Sequence, residues 1–475
     1  MMQLVPNNRM SVNVSASAPQ KVSGGKFLAL AGCFFLHCGF SGLAEFWPLF
    51  IFLGFIYFLV SFFFVPVGLA IIALAMIFSP EIPIGAIESR ALNIRIEDLL
   101  IPVIVLSWIA QNAVMRKDKL IVSSPLNKPI ALLLLVMLVS TAIGFAQGHV
   151  TLLPALFFSA KIIEYFVLFF LTMSYVKSEK QVRIFLVFAL ITVACLVCYT
   201  LPQVPSSQAL SANRITAPFE DIPQPTTAGG YLAFSFFIVF SLMIYQKSFI
   251  KKFVLGFFCL LIFLPMLYSF SRTVYMMMAA GLVILAILSK LKWLRLLVLA
   301  AFLAAPIIAP GKVKERVAFT WTDAVNPNRE LGVDVSFQER IYSFRRAGNA
   351  LKINPILGLG MASWDYPDNQ YARTLHEIGI LGMGLWLWIF FRLYKLSRWV
   401  FDVSEGTFKG LALGYAAGVF GILIHGFGAC TFYIVRIMEP FWFISGLVVS
   451  LYQMKVLEFQ ARAESHAADP AQSPS

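Results

Sequence analysis

Residues 229–309 read GGYLAFSFFIVFSLMIYQKSFIKKFVLGFFCLLIFLPMLYSFSRTVYMMMAAGLVILAILSKLKWLRLLVLAAFLAAPIIA. Four apolar stretches, roughly 229–246, 251–269, 273–289 and 292–309, follow one another with only short breaks. Each is close to the length that about 30 Å of hydrocarbon demands of a helix. The breaks differ in charge. Lys247, Lys251 and Lys252 fill the first, Arg272 alone marks the second, and Lys290, Lys292 and Arg295 fill the third. Lysine-rich turns at every second crossing mark the cytoplasmic side of a membrane bundle. The expected fold class is therefore all-α, a polytopic inner-membrane helical bundle.

The rest of the chain extends the pattern. Of 475 residues, 59% are apolar and 13% charged, with mean hydropathy +0.80. Soluble domains have about 45–50% apolar and about 25% charged residues, so a soluble enzyme and a disordered protein are both excluded. Further spans are expected near 98–115, 129–147, 153–176, 181–201, 373–395, 410–429 and 437–455. Two more basic groups, Arg116/Lys117/Lys119/Lys128 and Lys177/Lys180/Arg183, and a third, Lys395/Arg398/Lys409, keep the alternation. Lys+Arg 37 less Asp+Glu 24 gives +13, and its placement in these loops accounts for it without nucleic acid. Arg9, Lys21 and Lys26 put the N-terminus inside, so the nearly continuous apolar run 27–79, broken at Glu45-Phe46-Trp47-Pro48 and Pro66, should hold an odd number of spans. The expectation is 12–14 transmembrane helices. They form one membrane domain, 26–455, between disordered cytoplasmic tails 1–25 and 456–475. The six cysteines lie in or beside apolar stretches and read as packing residues, Cys195-x-x-Cys198 included.

Two outer loops, 202–228 and 310–372, are too long for plain connectors. In the second, Ser336-Phe337-Gln338-Glu339 reads as a capping box. Phe337, Ile341, Phe344, Gly348 and Leu351 follow as one apolar face, and Asn354-Pro355 ends the helix. An amphipathic helix on the membrane surface or over a cavity is expected. The outer side should be poor in cations, yet it holds Arg214, Arg272, Arg316, Arg329, Arg340, Arg345, Arg346 and Arg436. Arginine forms paired hydrogen bonds to phosphate or carboxylate. Arg272 fits either an anion site or a snorkelling side chain, and Arg214 either an anion site or a loop ion pair with Glu220 or Asp221. Lys161 and Glu164 can pair within their span, structurally or functionally. Acid–base candidates are Glu220, Asp221, Asp334, Glu339, Asp365, Asp368 and Glu377, with His149, His376 and His425. No H-E-x-x-H, Walker loop or G-x-G-x-x-G occurs, so neither a metal nor a cofactor is expected.

Tyr268-Ser269-Phe270-Ser271-Arg272-Thr273 resembles the Ser-Arg-Thr signature of the bacterial O-antigen ligase/polymerase (Wzy-type) superfamily. Gln338-Glu339-Arg340, Asn354–Gly360, Asp368-Asn369-Gln370-Tyr371 and Glu377–Gly382 follow in the family's order. The resemblance runs from about residue 98 to 455. Arg214 matches the arginine of the other outer loop, and Pro218-Phe219-Glu220 is similar to the exopolysaccharide branch. O-antigen ligases usually carry His-Asn where this chain has Asp368-Asn369, a form more like that of exopolysaccharide polymerases. The resemblance implies a metal-independent glycosyltransferase acting on glycans linked to undecaprenyl diphosphate at the periplasmic face of the inner membrane. It assigns Arg214, Arg272 and Arg340 to the diphosphate, with Arg272 also catalytic. The general base would be Asp368 first and Glu377 second, and the Ser336 helix would be a lid. Implied partners are the lipid-linked oligosaccharide, the growing polysaccharide, membrane lipid, and flippase and chain-length or export proteins. A polymerase is the first expectation. A ligase moving glycan onto lipid A core or protein is the second, and a lipid-linked oligosaccharide transporter the third. A transporter should show repeated halves and midplane polar groups, whereas polar residues here gather in two outer loops.

Overall fold

The computed structural model describes residues 47–87, 90–115, 122–209, 214–220, 224–322, 335–364 and 368–468. These belong to a unit spanning Ala44–Ser475; the N-terminal tail expected over 1–25 lies outside the described residues. Two short apolar helices open the unit, α1 (Trp47–Phe63) and α2 (Val65–Phe78). Pro66, in the first turn of α2, cannot donate to the preceding turn, so the chain breaks at Phe64. The hydroxyl of Ser107 and the amide of Gln111 donate to the Phe58 and Phe62 carbonyls near the end of α1. Both donors lie on α3 (Ile96–Met115), which packs beside it.

The eleven stretches expected from residue 98 onward all coincide with helices. After α3 these are α4 (Asn127–Ala146), α5 (Leu152–Tyr175), α6 (Glu179–Thr200), α7 (Pro225–Tyr245), α8 (Phe249–Leu267), α9 (Arg272–Leu288) and α10 (Lys292–Ile308). After α11 (Gly311–Thr322) and α12 (Val335–Ile353) come α13 (Gln370–Val403), α14 (Gly406–His425) and α15 (Val435–Ala468). By length and composition, nine helices among the described residues can cross a membrane, or ten if α10 and α11, bent by 91°, form one span. The expected 12–14 counted α9 and α10, which have only 17 residues each, and one or three crossings within 27–79, part of which lies outside the described residues.

Two features were not expected. Residues Glu81–Ile87 and Arg90–Arg95 form an antiparallel hairpin, β1 and β2, with Glu81 opposite Arg95 and an irregularity between Pro83 and Gly85. The bundle is otherwise helical. The last helix also continues to Ala468, into the segment expected as a disordered tail. Residues 456–468 read VLEFQARAESHAA, rich in Ala, Glu, Gln and Arg. Such residues prolong a helix that the membrane has already nucleated.

The centre is formed by α7 and α15, whose spans are 83% and 94% buried, while α8, 22% buried, lies at the edge. Glycines bring α14 against α7: a Cβ on Gly414 would stand 2.5 Å from the Phe237 carbonyl oxygen. Close backbone approach through small residues is how helices associate without a hydrophobic drive. Phe166, Trp442, Phe441, Phe390 and Trp386 stack in a chain linking α5, α15 and α13.

Helix α13 is interrupted at Gly379, whose φ of 65° and ψ of −166° lie in a region populated almost only by glycine. The gap is filled by the stretch after α12. Leu359 and Gly360 N–H groups donate to the His376 and Glu377 carbonyls at 2.9 Å each. In return, the N–H groups of Ile380 and Leu381 donate to the Pro355 and Ile356 carbonyls at 3.0 and 3.2 Å. Ser140 of α4 closes the joint, its Oγ 2.6 Å from the Leu357 carbonyl and 2.8 Å from that of Glu377. A Cβ on Gly379 would come within 2.3 Å of the Ile356 oxygen, whereas one on Gly384 meets open space. Gly379→Ala is therefore expected to lose about 1–3 kcal/mol of stability. The loss should appear as reduced monodisperse protein after a heat ramp in detergent, with Gly384→Ala as the unaffected control. Equal survival of the two variants would remove the break from the stabilising features.

Candidate active site

The N-termini of α7 and α9 meet Arg340 of α12 and the loop after α14, beside the loop that carries Arg214. Phe270, just ahead of α9, has a φ of 49° and is fully buried. A bulky residue in the left-handed region is uncommon, and packing holds it: Phe270 sits with Ala209 of the first outer loop and Val313 of α11. The Arg316 Nε donates to its carbonyl at 3.1 Å. This bend puts Arg272 at the first position of α9, where no acidic residue follows in the first turn. A cation at a helix N-terminus adds to the positive end of the dipole, which makes this end a place for an anion. The N-terminus of α7 adjoins it, since Thr226 Oγ1 and Ser271 Oγ are 3.1 Å apart.

Arg340 approaches from α12, donating to Thr273 Oγ1 at 3.2 Å and to the Gly428 carbonyl at 3.4 Å. Arg214 completes the group: burial first, and then the charge of Arg272, lower its pKa from the ordinary arginine value. The structure thus brings together the three arginines singled out in the sequence. Arg214 is placed by its own loop. Gln203 pins Thr216 through both its N–H and its carbonyl. Glu220 pairs at 3.1 Å with Arg436, a residue 1% exposed. Of the two partners considered for Arg214 in a loop ion pair, Glu220 is thus bound to Arg436, and Asp221 lies outside the described residues. Arg436 also donates to the carbonyls of Phe219 and Ser79.

On the other side of the loop joining α14 to α15 lie the two carboxylates. Asp368 is exposed, next to Asn369, which caps α13 by accepting the Ala372 N–H at 2.9 Å. Asn369 and Gln370 also hold the loop, donating to the Phe427 and Gly426 carbonyls. Glu377, by contrast, is 1% exposed and fully engaged. Its Oε1 accepts from Arg373 Nε at 2.9 Å and from the Ala362 N–H at 3.1 Å, and its Oε2 from the Tyr433 hydroxyl at 2.6 Å. The Arg373 guanidinium lies 3.5 Å from the Tyr433 ring centre. Burial, and then the charge of Glu377, hold the Tyr433 hydroxyl well above its usual pKa, so it stays a donor.

Helix α12 differs from expectation. It begins at Val335, so Ser336 falls inside the first turn. Its buried face is Ser343, Ala347 and Ala350, while Phe337 and Phe344 of the expected apolar stripe are 41% and 44% exposed. The Lys161–Glu164 pair is present at 3.7 Å, but Lys161 also binds Asp98. His425 is fully buried, with Nδ1 2.8 Å from Thr431 Oγ1, and a Cβ on Gly230 would stand 2.9 Å from its Nε2.

Residues 257–387 match the family model Wzy_C, described as O-Antigen ligase. This segment is similar to the Wzy_C domain. It spans α8 to the middle of α13, and with them Arg272, Arg340, Asp368 and Glu377. Arg214 and the loop after α14 lie outside the match, which is shorter than the region of resemblance seen in the sequence. No curated protein matches the chain. The protein is a polytopic membrane protein with an O-antigen ligase-like segment over residues 257–387.

Three contributors to the site were not singled out from the sequence. Arg373 could have been found by its i,i+4 spacing to Glu377. Tyr433 and Gly428 carried no local signal, because their partners are far away in the chain. Tyr433→Phe strips one donor from a buried carboxylate and should cost about 1–3 kcal/mol, read as a lower melting temperature. An unchanged melting temperature would mean that water replaces the hydroxyl.

Glu220 offers a pH test. Burial raises its pKa to about 7, against the lowering pull of Arg436. The folded chain then holds a proton that the unfolded chain releases from about pH 4.5 upward, so this residue's contribution to stability falls as pH rises towards 7. Glu220→Gln should therefore gain less melting temperature than wild type between pH 8 and pH 5. An identical gain would show that Glu220 does not titrate in that window.

Proposed function

We propose that the protein is a polymerase that joins undecaprenyl-diphosphate-linked oligosaccharide repeat units into an extracellular polysaccharide at the periplasmic face of the bacterial inner membrane. The observation that carries this reading is the convergence of Arg214, Arg272 and Arg340 on the N-terminus of α9, within and beside the Wzy_C domain. In the proposed step, the bond between the anomeric carbon of the donor glycan and the diphosphate oxygen breaks. The bond between that carbon and the acceptor's hydroxyl oxygen forms. Charge grows on the departing diphosphate, and fixed donors aimed at it stabilise the transition state. The arginines carry that role, so the step is written without a metal.

The hydroxyl proton goes to a carboxylate. Geometry favours Asp368, which is exposed and lies across the Gly426–Thr431 loop from Arg340. Glu377 acts as a positioning residue, because both of its oxygens are already bonded. The exposed aromatic stripe of α12, with Arg340 on the same helix, suits a lid over the lipid and glycan groove. A ligase is the second reading, favoured by the family description; Asp368-Asn369 in place of His-Asn favours the polymerase.

The test is the surface polysaccharide of a deletion strain complemented with wild type, Arg272→Ala or Asp368→Asn. Loss of one such electrostatic donor should lower transfer about 10²–10³-fold. The expected result is loss of high-mass polymer with single lipid-linked units accumulating. Full-length polymer retained on its lipid carrier would establish the ligase, and unchanged polymer in every strain would sink both readings.

A further inference from the structure

A second cluster of charges lies at the start of α3, on α5 and on α15, packed away from solvent. Three cations each take a carboxylate: Arg95 takes Glu81, Lys161 takes Asp98, and Arg436 takes Glu220. Three carboxylates remain. Glu97 and Glu164 lie 3.9 and 3.7 Å from Arg95 and Lys161, cations already committed. Glu439 is 0% exposed and neither of its oxygens has a hydrogen-bond partner. Burying a carboxylate in this state is strongly unfavourable unless it holds a proton or a positive charge answers it.

The geometry indicates what that charge is. One oxygen each from Glu97, Asp98 and Glu439 lies within 4.8 Å of the others. Ca–O distances of about 2.3–2.6 Å let ligand oxygens stand up to roughly 5 Å apart around one ion. Asp98 Oδ2 is held by the Arg95 N–H at 2.8 Å, which fixes the carboxylate. An independent group points the same way. Tyr165 of α5 is 0% exposed and its hydroxyl has no hydrogen-bond partner, and the carboxylates that act on it most strongly are Glu439 and Glu164.

We propose that Glu97, Asp98 and Glu439 bind one hard divalent cation of the Ca²⁺ or Mg²⁺ class. An all-oxygen donor set selects such ions over the softer transition metals. The ion joins α3 to α15, with α5 beside them, which is a structural task separate from the arginine cluster and independent of the reaction proposed above. Lys161 flanks the site through Asp98.

The experiment uses the full-length protein purified in detergent, stripped with EDTA and dialysed. Melting temperature and calorimetric binding are then followed with CaCl₂, MgCl₂ or MnCl₂ alone. The expected result is a saturable rise in melting temperature with one ion per chain. Glu439→Gln should weaken binding by more than the about 10–100-fold that loss of an outer-shell partner costs. Glu458→Gln, on the exposed part of α15, should bind like wild type. Mn²⁺ paramagnetic resonance on wild type, with displacement by Ca²⁺, decides the matter if Glu439→Gln does not fold. Absence of a saturable divalent site in wild type, or equal binding by the two variants, overturns the proposal.

Discussion

The functional side of this molecule depends on an exchange of backbone hydrogen bonds around Gly379. Opening a helix leaves N–H and C=O groups without partners, which is costly where water is excluded. Here residues 355–360 supply those partners from the outer loop. The break fixes the direction of the first turns of α13. These turns carry Asn369, Gln370, Arg373 and Glu377, and they hold the loop after α14. That loop offers the Gly428 carbonyl to Arg340. The position of Arg340 and the acidic side of the site are therefore tied to one piece of backbone.

Much of the helical frame was legible because lipid imposes a length and a hydropathy that few other structures need. All eleven stretches from residue 98 onward became helices for that reason. Their number was harder to read, since α9 and α10, of 17 residues each, are apolar without being full-length crossings on their own. The β1–β2 hairpin was missed because its short alternating strands sit between two strongly apolar helices. The face of α12 was misjudged for a reason particular to membranes. Where the surroundings are oily, Phe337 and Phe344 need not turn inward, and Ser343, Ala347 and Ala350 make the close contacts instead.

The site was legible in its cations and less so in its anions. Eight arginines stood out because they lie on the side expected to lack positive charge, and the family resemblance selected Arg214, Arg272 and Arg340 from them. Glu377 looked like a free carboxylate because its partners, Tyr433 and the Ala362 amide, come from distant turns of chain. Likewise, Glu220 was weighed as a partner for Arg214, two residues of one loop, when the structure gives it to Arg436, 216 positions away.

The joint at Gly379 also bears on how such chains can diverge. Its bonds link successive residues of one segment to successive residues of the other, in fixed step, and all four use main-chain atoms. Side chains at Ile356 or Leu357 can drift without breaking it. An insertion or deletion of a single residue on either side throws every pairing out of step. Across related chains, then, this region should vary in letters and stay constant in length, with alignment gaps collecting outside 355–360 and 376–381.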